Sequence, residues 1–249
     1  MPEDYFGERV AARYDESEAE LFDPVVVGPV VDFLAELADG GAALELGIGT
    51  GRIALPLAER GVRVHGIDLS EAMVARLRAK PGAERIDVTI GDFATTKVDG
   101  TFSLAYVVFN TLANLTTKAA QTACFRNVAA HLEHGGCFVV EIGVPRLQRL
   151  PPGDTLRVFH ASETHWGIDE YDVANQGLVS HHFTRVDEGL FELVSVPFRY
   201  VWPAELDLMA ELARMELRER WGGWQREPFT SESGKHVSVW QLDSEPPGT

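Results

Sequence analysis

The sequence predicts an α/β protein with a doubly wound, mostly parallel sheet and an antiparallel β insert after the fifth strand. Between about residues 42 and 143, short apolar runs alternate with helical patterns. Several of these runs are apolar on both faces, as in strands covered by helices on both sides. A segment rich in β-branched and aromatic residues follows Pro145. The 249 residues are enough for one such domain with a sizeable insertion.

The first half of the chain predicts five strands with helices between them. The strands are AALELG, VRVHGIDLS, IDVTIGD, FSLAYVVFN and CFVVEIG. The helices are FDPVVVGPVVDFLAELADG before the first strand, then RIALPLAERG, EAMVARLRAK after Ser70, and TKAAQTACFRNVAAHLEHGG up to Gly135. Right-handed crossovers place such helices on both faces of the sheet.

The second half predicts a change of architecture. After a linker with a Pro-Pro pair, turn signals at 175–177 and 187–189 indicate two or three antiparallel strands. The chain then returns to a helix, PAELDLMAELARMEL, and closes with two strands. We therefore expect an N-terminal helical cap (1–40), an α/β core (41–145 and 203–243) and a β insert or lid (146–202). Exposed edges of the insert are suited to pairing two subunits, so a homodimer is possible.

Composition narrows the classes of function. A net charge of −16 opposes binding to nucleic acid or to an anionic membrane surface. No apolar run is long enough for a membrane span, and the charged N-terminus lacks a signal peptide. Cys124 and Cys137 are isolated, which indicates neither a disulfide framework nor a zinc motif. We expect a cytoplasmic protein whose partner is a small molecule.

The segment ALELGIGTGRIAL carries the strongest motif, three glycines between a strand and a helix. Open parallel sheets bind ligands at such turns, and glycine permits positive φ and close approach of the backbone. A P-loop is excluded because no Lys follows Gly51, and GxGxG with Arg52 departs from the dinucleotide pattern GxGxxG. The third candidate is a loop for S-adenosylmethionine, a ligand that has no phosphates. The alternative to all three is a tight strand-to-helix turn that binds no ligand.

Four further motifs support S-adenosylmethionine as the ligand. LELGIGTG, VHGIDLS, IGDF, FSLAYVVFNTLANL and HLEHGGCFVVE occur in this order over roughly residues 40 to 143. Together they resemble the class I S-adenosylmethionine-dependent methyltransferases, in particular small-molecule N- and O-methyltransferases of bacterial secondary metabolism. The resemblance implies a seven-stranded Rossmann-like fold, S-adenosylmethionine as cofactor and methyl transfer as activity. EIGVPRLQRL stands where sugar-amine dimethylating members often carry a tryptophan-rich stretch.

The cofactor-binding candidates follow from chemistry and from the resemblance. Asp68, about twenty residues beyond the loop, suits the ribose hydroxyls of either S-adenosylmethionine or NAD. The resemblance implies that Asp92 accepts from the adenine amino group and that Tyr14 closes over the cofactor. It also implies that Glu45, a charge in a buried strand, orients the loop or faces the cationic end of the ligand. The full set is Tyr14, Glu45, Gly47, Ile48, Gly49, Gly51, Asp68, Leu69, Met73, Asp92, Phe93, Phe109 and Asn110.

Catalytic residues are harder to predict because the methyl group of a sulfonium is already activated. The protein mainly aligns the nucleophile and excludes water, and a base is needed only if the nucleophile arrives protonated. Glu141, His160 and His181 are the candidates. His181 lies between Val179 and Phe183 in an alternating pattern, which is also typical of a packed residue. The histidine spacing is not that of a metal site, and we expect no metal.

The sequence thus predicts an enzyme that transfers a methyl group from S-adenosylmethionine to an amine or hydroxyl of a small molecule. Aromatic residues of the insert form either its core or an apolar wall for the acceptor. Two alternatives stay open: an S-adenosylmethionine enzyme with another reaction, and a non-catalytic cofactor-binding scaffold. The acceptor, the number of transfers and the oligomeric state are not encoded in these motifs.

Overall fold

The computed structural model describes residues 5–244 and contains a seven-stranded sheet in the order β10-β11-β5-β4-β1-β2-β3. Its strands are β1 Ala42–Leu46, β2 Arg63–Asp68, β3 Ile86–Ile90, β4 Phe102–Val107, β5 Leu132–Gly143, β10 Met215–Trp221 and β11 Lys235–Leu242. Strands β1 to β5 are parallel, while β11 runs antiparallel to both β5 and β10. The chain moves outward from β1 to β3 and returns to β4, so the strand order reverses between β1 and β4. Ligands bind at such a reversal.

Helices cover both faces of this sheet. They are α1 Glu8–Ala11, α2 Tyr14–Ser17, α3 Pro24–Ala38, α4 Ala54–Glu59, α5 Glu71–Arg78, α6 Lys118–Ala129 and α7 Pro203–Leu212. Asp23, Ser70 and Thr117 cap α3, α5 and α6 by accepting from backbone N–H groups of the first turn. One apolar core lies between the sheet and α3 and α4, and a second lies between the sheet and α6 and α7. The doubly wound fold class is confirmed.

A separate antiparallel sheet follows β5. Its strands are β6 Leu156–Ala161, β7 His165–Asp172, β8 Gly177–Asp187 and β9 Leu190–Arg199. The prediction of two or three strands was wrong: four strands form, and β6 is one whose residues are exposed at nearly every position. The division of the chain into cap, core and insert stays a prediction.

The boundary between α6 and β5 also differs from the prediction. The helix was expected to continue to Gly135, but it ends at Ala129, and Leu132 already pairs with Phe102 of β4. Gly135 has a φ of 81°, and the pairing of β4 with β5 shifts register over this stretch. This glycine therefore accommodates an irregularity at the start of a strand, where the sequence suggested the end of a helix.

Arg199 connects the end of β9 to helices α6 and α7, which pack on the seven-stranded sheet. Its side chain is 6% exposed and donates to Gln121 of α6 (2.5 Å), to Gln176 before β8 (2.9 Å) and to Glu205 of α7 (2.6 Å). Gln121 in turn donates to the Arg199 carbonyl at 3.1 Å. A buried charge with this many partners holds the four-stranded sheet at a defined position beside the core. No helix within residues 5–244 is long and apolar enough to cross a membrane.

Candidate active site

A cavity of about 300 Å³ opens beside the carboxyl ends of β1, β2 and β4, within the size range of small-molecule sites. Eight predicted cofactor-binding residues line it: Tyr14, Gly47, Gly49, Asp68, Leu69, Met73, Asp92 and Phe93. Eight residues outside the predicted set line it too: Tyr5, Phe6, Ser70, Thr111, Asn114, Leu115, Thr116 and Pro197. The cavity lies at the reversal of strand order, where the fold class places a ligand.

Each glycine of the loop occupies a position where a side chain would be unfavourable. All three have positive φ: 72° at Gly47, 56° at Gly49 and 82° at Gly51. A Cβ on Gly47 would overlap the methyl group of Thr111, and one on Gly51 would overlap Leu77. A Cβ on Gly49 would meet only the Met73 methyl among side chains, at 3.5 Å. Gly49 thus presents bare backbone to the cavity, whereas Gly51 packs into the core and does not line it.

Two aspartates present fixed carboxylates to the cavity. Asp68, the last residue of β2, accepts from the Gly49 N–H at 2.6 Å and from the Ser70 N–H at 2.9 Å. Asp92 follows β3 and accepts from the Ala94 N–H at 2.9 Å. Backbone N–H donors orient both carboxylates. The cavity therefore offers two preoriented acceptors at the ends of adjacent strands.

Glu45 lies beneath the loop and outside the cavity lining. It is 3% exposed, and Tyr106, its neighbour on β4, donates to its Oε2 at 2.9 Å. Burial raises the pKa of Glu45 to about 8, although the Tyr106 hydrogen bond acts in the opposite direction. Burial likewise raises the pKa of Tyr106 well above its usual value. Ile48 is also buried, over Gly66 of β2, and does not line the cavity.

The N-terminal segment covers the cavity with Tyr5, Phe6 and Tyr14. The Ser70 hydroxyl donates to the Phe6 carbonyl at 2.8 Å, and the Phe6 and Tyr14 rings meet edge to face with centroids 6.3 Å apart. Burial raises the pKa of Tyr14 to about 12, so its hydroxyl stays protonated at neutral pH. These contacts tie the start of the chain to the β2–α5 connection.

A second set of contacts joins the N-terminal segment to the glycine loop. The Thr50 hydroxyl donates to Asp15 Oδ1 at 2.6 Å, and Lys80, just beyond α5, forms an ion pair with the same carboxylate. Lys80 Nζ also donates to the Thr50 carbonyl at 2.8 Å and lies 5.1 Å from the centre of the Phe22 ring. Lys80 therefore connects the loop, α5 and the N-terminal segment.

The three catalytic candidates are not brought together. Glu141 of β5 lies outside the cavity lining and holds the turn after β4, which contains Phe109 and Asn110. Its Oε2 accepts from the Phe109 N–H at 3.0 Å, and its Oε1 accepts from Lys235 Nζ at 2.7 Å. Phe109 and Asn110, predicted as cofactor-binding, belong to this turn and do not line the cavity either.

The two histidine candidates belong to the four-stranded sheet and also lie outside the cavity lining. His160 is exposed and stacks on His165, with ring centroids 4.9 Å apart. His181 is half-buried and contacts polar partners: Nδ1 lies 2.8 Å from the Ser195 hydroxyl and Nε2 lies 3.3 Å from Glu170 Oε2. The apolar face inferred for His181 therefore also carries hydrogen-bonding groups.

The lining residues outside the predicted set come from four segments. Ser70 caps α5 just after β2, and the others come from three further segments. Thr111, Asn114 and Thr116 follow β4, and their position after a strand at the carboxyl edge was a usable signal. Tyr5 and Phe6 precede the Tyr-Asp pair at 14–15, and Pro197 is an inner position of β9. Only the packing of the N-terminal segment and of β9 against the core brings these last three to the cavity.

Comparisons with known proteins agree with this geometry. A family model described as a methyltransferase domain matches residues 43–136. The CcbJ methyltransferase structure from Streptomyces caelestis has a TM-score of 0.86 and 36% identity, covering 96% of this chain and 98% of that one. Cypemycin N-terminal methyltransferase from a Streptomyces species is 28% identical over 242 residues, 91% of this chain and 96% of the relative.

A more distant structure shares the fold. S-adenosylmethionine-bound CalS10, an amino pentose methyltransferase from Micromonospora echinaspora, has a TM-score of 0.67 at 22% identity and covers 92% of this chain and 94% of that one. The family match, the strong likeness over the whole chain and the preoriented carboxylates beside the glycine loop lead to one conclusion. The chain belongs to the class I S-adenosylmethionine-dependent methyltransferases.

Proposed function

We propose that this methyltransferase methylates an amine nitrogen of a small-molecule acceptor, and that it does so by alignment, without a general base. The observation that carries the proposal is the set of titratable groups on the cavity wall. Among the described residues these groups are two carboxylates, Asp68 and Asp92, and two phenols, Tyr5 and Tyr14. No histidine, lysine, cysteine or glutamate lines this part of the structure.

These four groups are poor proton acceptors. The Asp68 carboxylate accepts two backbone hydrogen bonds and that of Asp92 accepts one. An aspartate carboxylate is by its nature a weak base at neutral pH. Tyr14, with a pKa of about 12, is protonated at neutral pH. A hydroxyl acceptor would need help in losing its proton, whereas an amine can lose its proton to solvent before it binds.

The bound cofactor supplies a methyl group that its positive sulfur has already activated. The protein then contributes geometry: it holds cofactor and acceptor in line and keeps water out. In this proposal Asp68 accepts from the ribose hydroxyls, and Asp92 with Phe93 holds the adenine. Gly49 lets the backbone approach the ligand closely, because nothing projects from it into the cavity.

One relative that is similar over nearly its whole length supports an amine acceptor. Cypemycin N-terminal methyltransferase acts, by its name, at an N-terminus. A terminal amino group is an amine that can lose its proton to solvent, which is the chemistry that this cavity permits. The neighbouring residues Asn114 and Thr116 provide uncharged polar groups on the cavity wall for an acceptor.

The test compares acceptors that differ only at nitrogen. Amino sugars, amino alcohols and short peptides with free N-termini are incubated with the enzyme and S-adenosylmethionine, each beside its N-acetylated form. We expect mass spectrometry to find methylation of free amines only, at a rate that rises with pH through the pKa of the acceptor amine. Methylation of hydroxyls in the N-acetylated compounds would refute the proposal.

The proposed ribose contact has its own test. Asp68→Ala is expected to weaken S-adenosylhomocysteine binding by roughly 10- to 100-fold in calorimetry, because charge-assisted hydrogen bonds contribute about 1.5–3 kcal/mol. Asp87→Ala, an exposed aspartate on neighbouring β3, is the matched control and should bind normally. Equal affinity of Asp68→Ala and the native enzyme would show that the ribose lies elsewhere.

A further inference from the structure

We infer that Glu141 is a positioning residue, whose carboxylate holds the turn after β4 in a left-handed conformation and thereby shapes the cavity wall. The starting observation is the backbone of this turn. Phe109 and Asn110 have φ of 56° and 60°, so two consecutive residues with side chains occupy the region that favours glycine. Such a conformation persists only where surrounding contacts impose it.

Those contacts come from the end of β5. Glu141 Oε2 accepts from the Phe109 N–H at 3.0 Å, and the Glu141 carbonyl accepts from the Asn110 N–H at 3.3 Å. The Asn110 side-chain oxygen in return accepts from the Gly143 N–H at 2.6 Å. The side chain and the backbone of one residue thus bind the N–H groups of both left-handed residues.

Glu141 is itself held in place. Its side chain is 13% exposed, and its second oxygen accepts from Lys235 Nζ of β11 at 2.7 Å. Both carboxylate oxygens therefore have a donor before any acceptor molecule binds. Two donors hold the carboxylate in place and it has no place on the cavity wall, whereas a base that takes a proton from a substrate must reach that substrate.

The turn leads directly into the cavity. Asn110 begins the 3-10 helix Thr111–Asn114, and both end residues of that helix line the cavity. The Thr111 methyl occupies the space that a Cβ on Gly47 would need, so a shift of this helix changes the cavity wall beside the glycine loop. Arg52, after that loop, lies 4.9 Å from the centre of the Phe109 ring.

The experiment measures binding of S-adenosylhomocysteine by calorimetry and hydrogen exchange of the Phe109 amide, neither of which needs a known acceptor. E141A removes the acceptor of that amide, and we expect about tenfold weaker binding and at least tenfold faster exchange. E141Q keeps an oxygen for the Phe109 N–H, so it should stay within about threefold of the native enzyme in both. E133A, the same change at an exposed position of β5, is the control.

The outcomes distinguish a positioning role of Glu141 from a role as general base. Substitution of a residue that acts only as a general base leaves cofactor binding and amide exchange unchanged, so native values in E141A overturn the proposal. If E141A does not fold, E141D serves instead, because it keeps the charge but withdraws the carboxylate by one methylene. Native behaviour of E141D would likewise overturn it. Amine specificity does not enter these measurements, so the proposed function can fail independently.

Discussion

The buried carboxyl of Glu45 should make the stability of the empty enzyme depend on pH. Its pKa is raised from 4.5 to about 8 by burial, so between these pH values the native state holds a proton that the unfolded state releases. The free energy of unfolding therefore falls as pH rises through this window. At about 1.4 kcal/mol per pH unit, the full shift corresponds to about 5 kcal/mol.

Glu45→Gln isolates this contribution. The amide has no charge to lose, and its oxygen still accepts from the Tyr106 hydroxyl. Urea unfolding at pH values from 4.5 to 9 should show similar stability of both proteins at the acid end. The variant should then gain over the native enzyme with rising pH, up to about 5 kcal/mol.

The difference between the two proteins cancels all other titrations, and Glu133→Gln on the exposed part of β5 is the control. A difference that stays constant from pH 4.5 to 9 would refute the argument, because it would mean that Glu45 has the same pKa in both states.

Three further predictions concern Gly47 of the glycine loop, the contacts of Lys80 with that loop, and the buried His236. Gly47→Ala should cost about 2–3 kcal/mol, from its φ of 72° and the overlap with the Thr111 methyl, while Gly61→Ala, at φ 87° in open space, should cost only about 1 kcal/mol in urea unfolding. Equal costs would contradict the packing argument. Lys80→Met should speed S-adenosylhomocysteine dissociation about tenfold in stopped flow by releasing Asp15 and the Thr50 carbonyl, whereas Arg76→Met, which breaks an exposed pair with Glu8, should not. Burial lowers the pKa of His236 from 6.5 to about 4, so the unfolding free energy of His236→Phe minus that of the native enzyme should rise by about 3 kcal/mol as pH falls through this window. Parallel pH profiles of the two proteins would exclude a shifted pKa of His236.

The part of the cavity lining that follows β1, β2 and β3 was predictable because its residues lie in short segments at the ends of strands. The spacing of Gly47, Gly49 and Gly51 reflects local backbone needs, and each glycine has positive φ. Asp68 ends β2 and contacts Gly49 across the strand ends, which alternation of strands and helices already suggests. Local pattern and global fold agree here, so the sequence indicates which residues line the cavity, while their contacts with the cofactor stay a prediction.

The prediction was weaker where burial or packing is decided by distant parts of the chain. Nearly all residues of strand β6 are exposed, so pairing with β7, and not burial of one face, makes this segment a strand. Pro197 reaches the cavity because Arg199 holds the end of β9 against α6 and α7, a contact between residues 78 positions apart. Tyr5 and Phe6 cover the cavity through contacts such as the hydrogen bond from the Ser70 hydroxyl to the Phe6 carbonyl. No residue spacing in the sequence predicts such a contact.

Glu141 illustrates the difference between what a residue type permits and what its contacts leave available. A glutamate at the carboxyl end of a central strand suits a general base, and this is why the sequence indicated it. In the structure one oxygen faces the Phe109 N–H and the other faces Lys235. Hydrogen-bond donors on both oxygens hold the carboxylate still and away from the cavity, which suits the support of a turn.

The two halves of the cavity are therefore built in different ways. The glycine loop, Asp68 and Asp92 follow successive parallel strands, so the fold that forms the sheet also forms this part of the cavity lining. Much of the remaining lining comes from the N-terminal segment, residues 111–116 and β9, three segments that meet only in the folded protein. Strand order and glycine spacing are visible in the sequence, whereas the meeting of these three segments is not. For this reason the motifs indicate the cofactor more plainly than the acceptor.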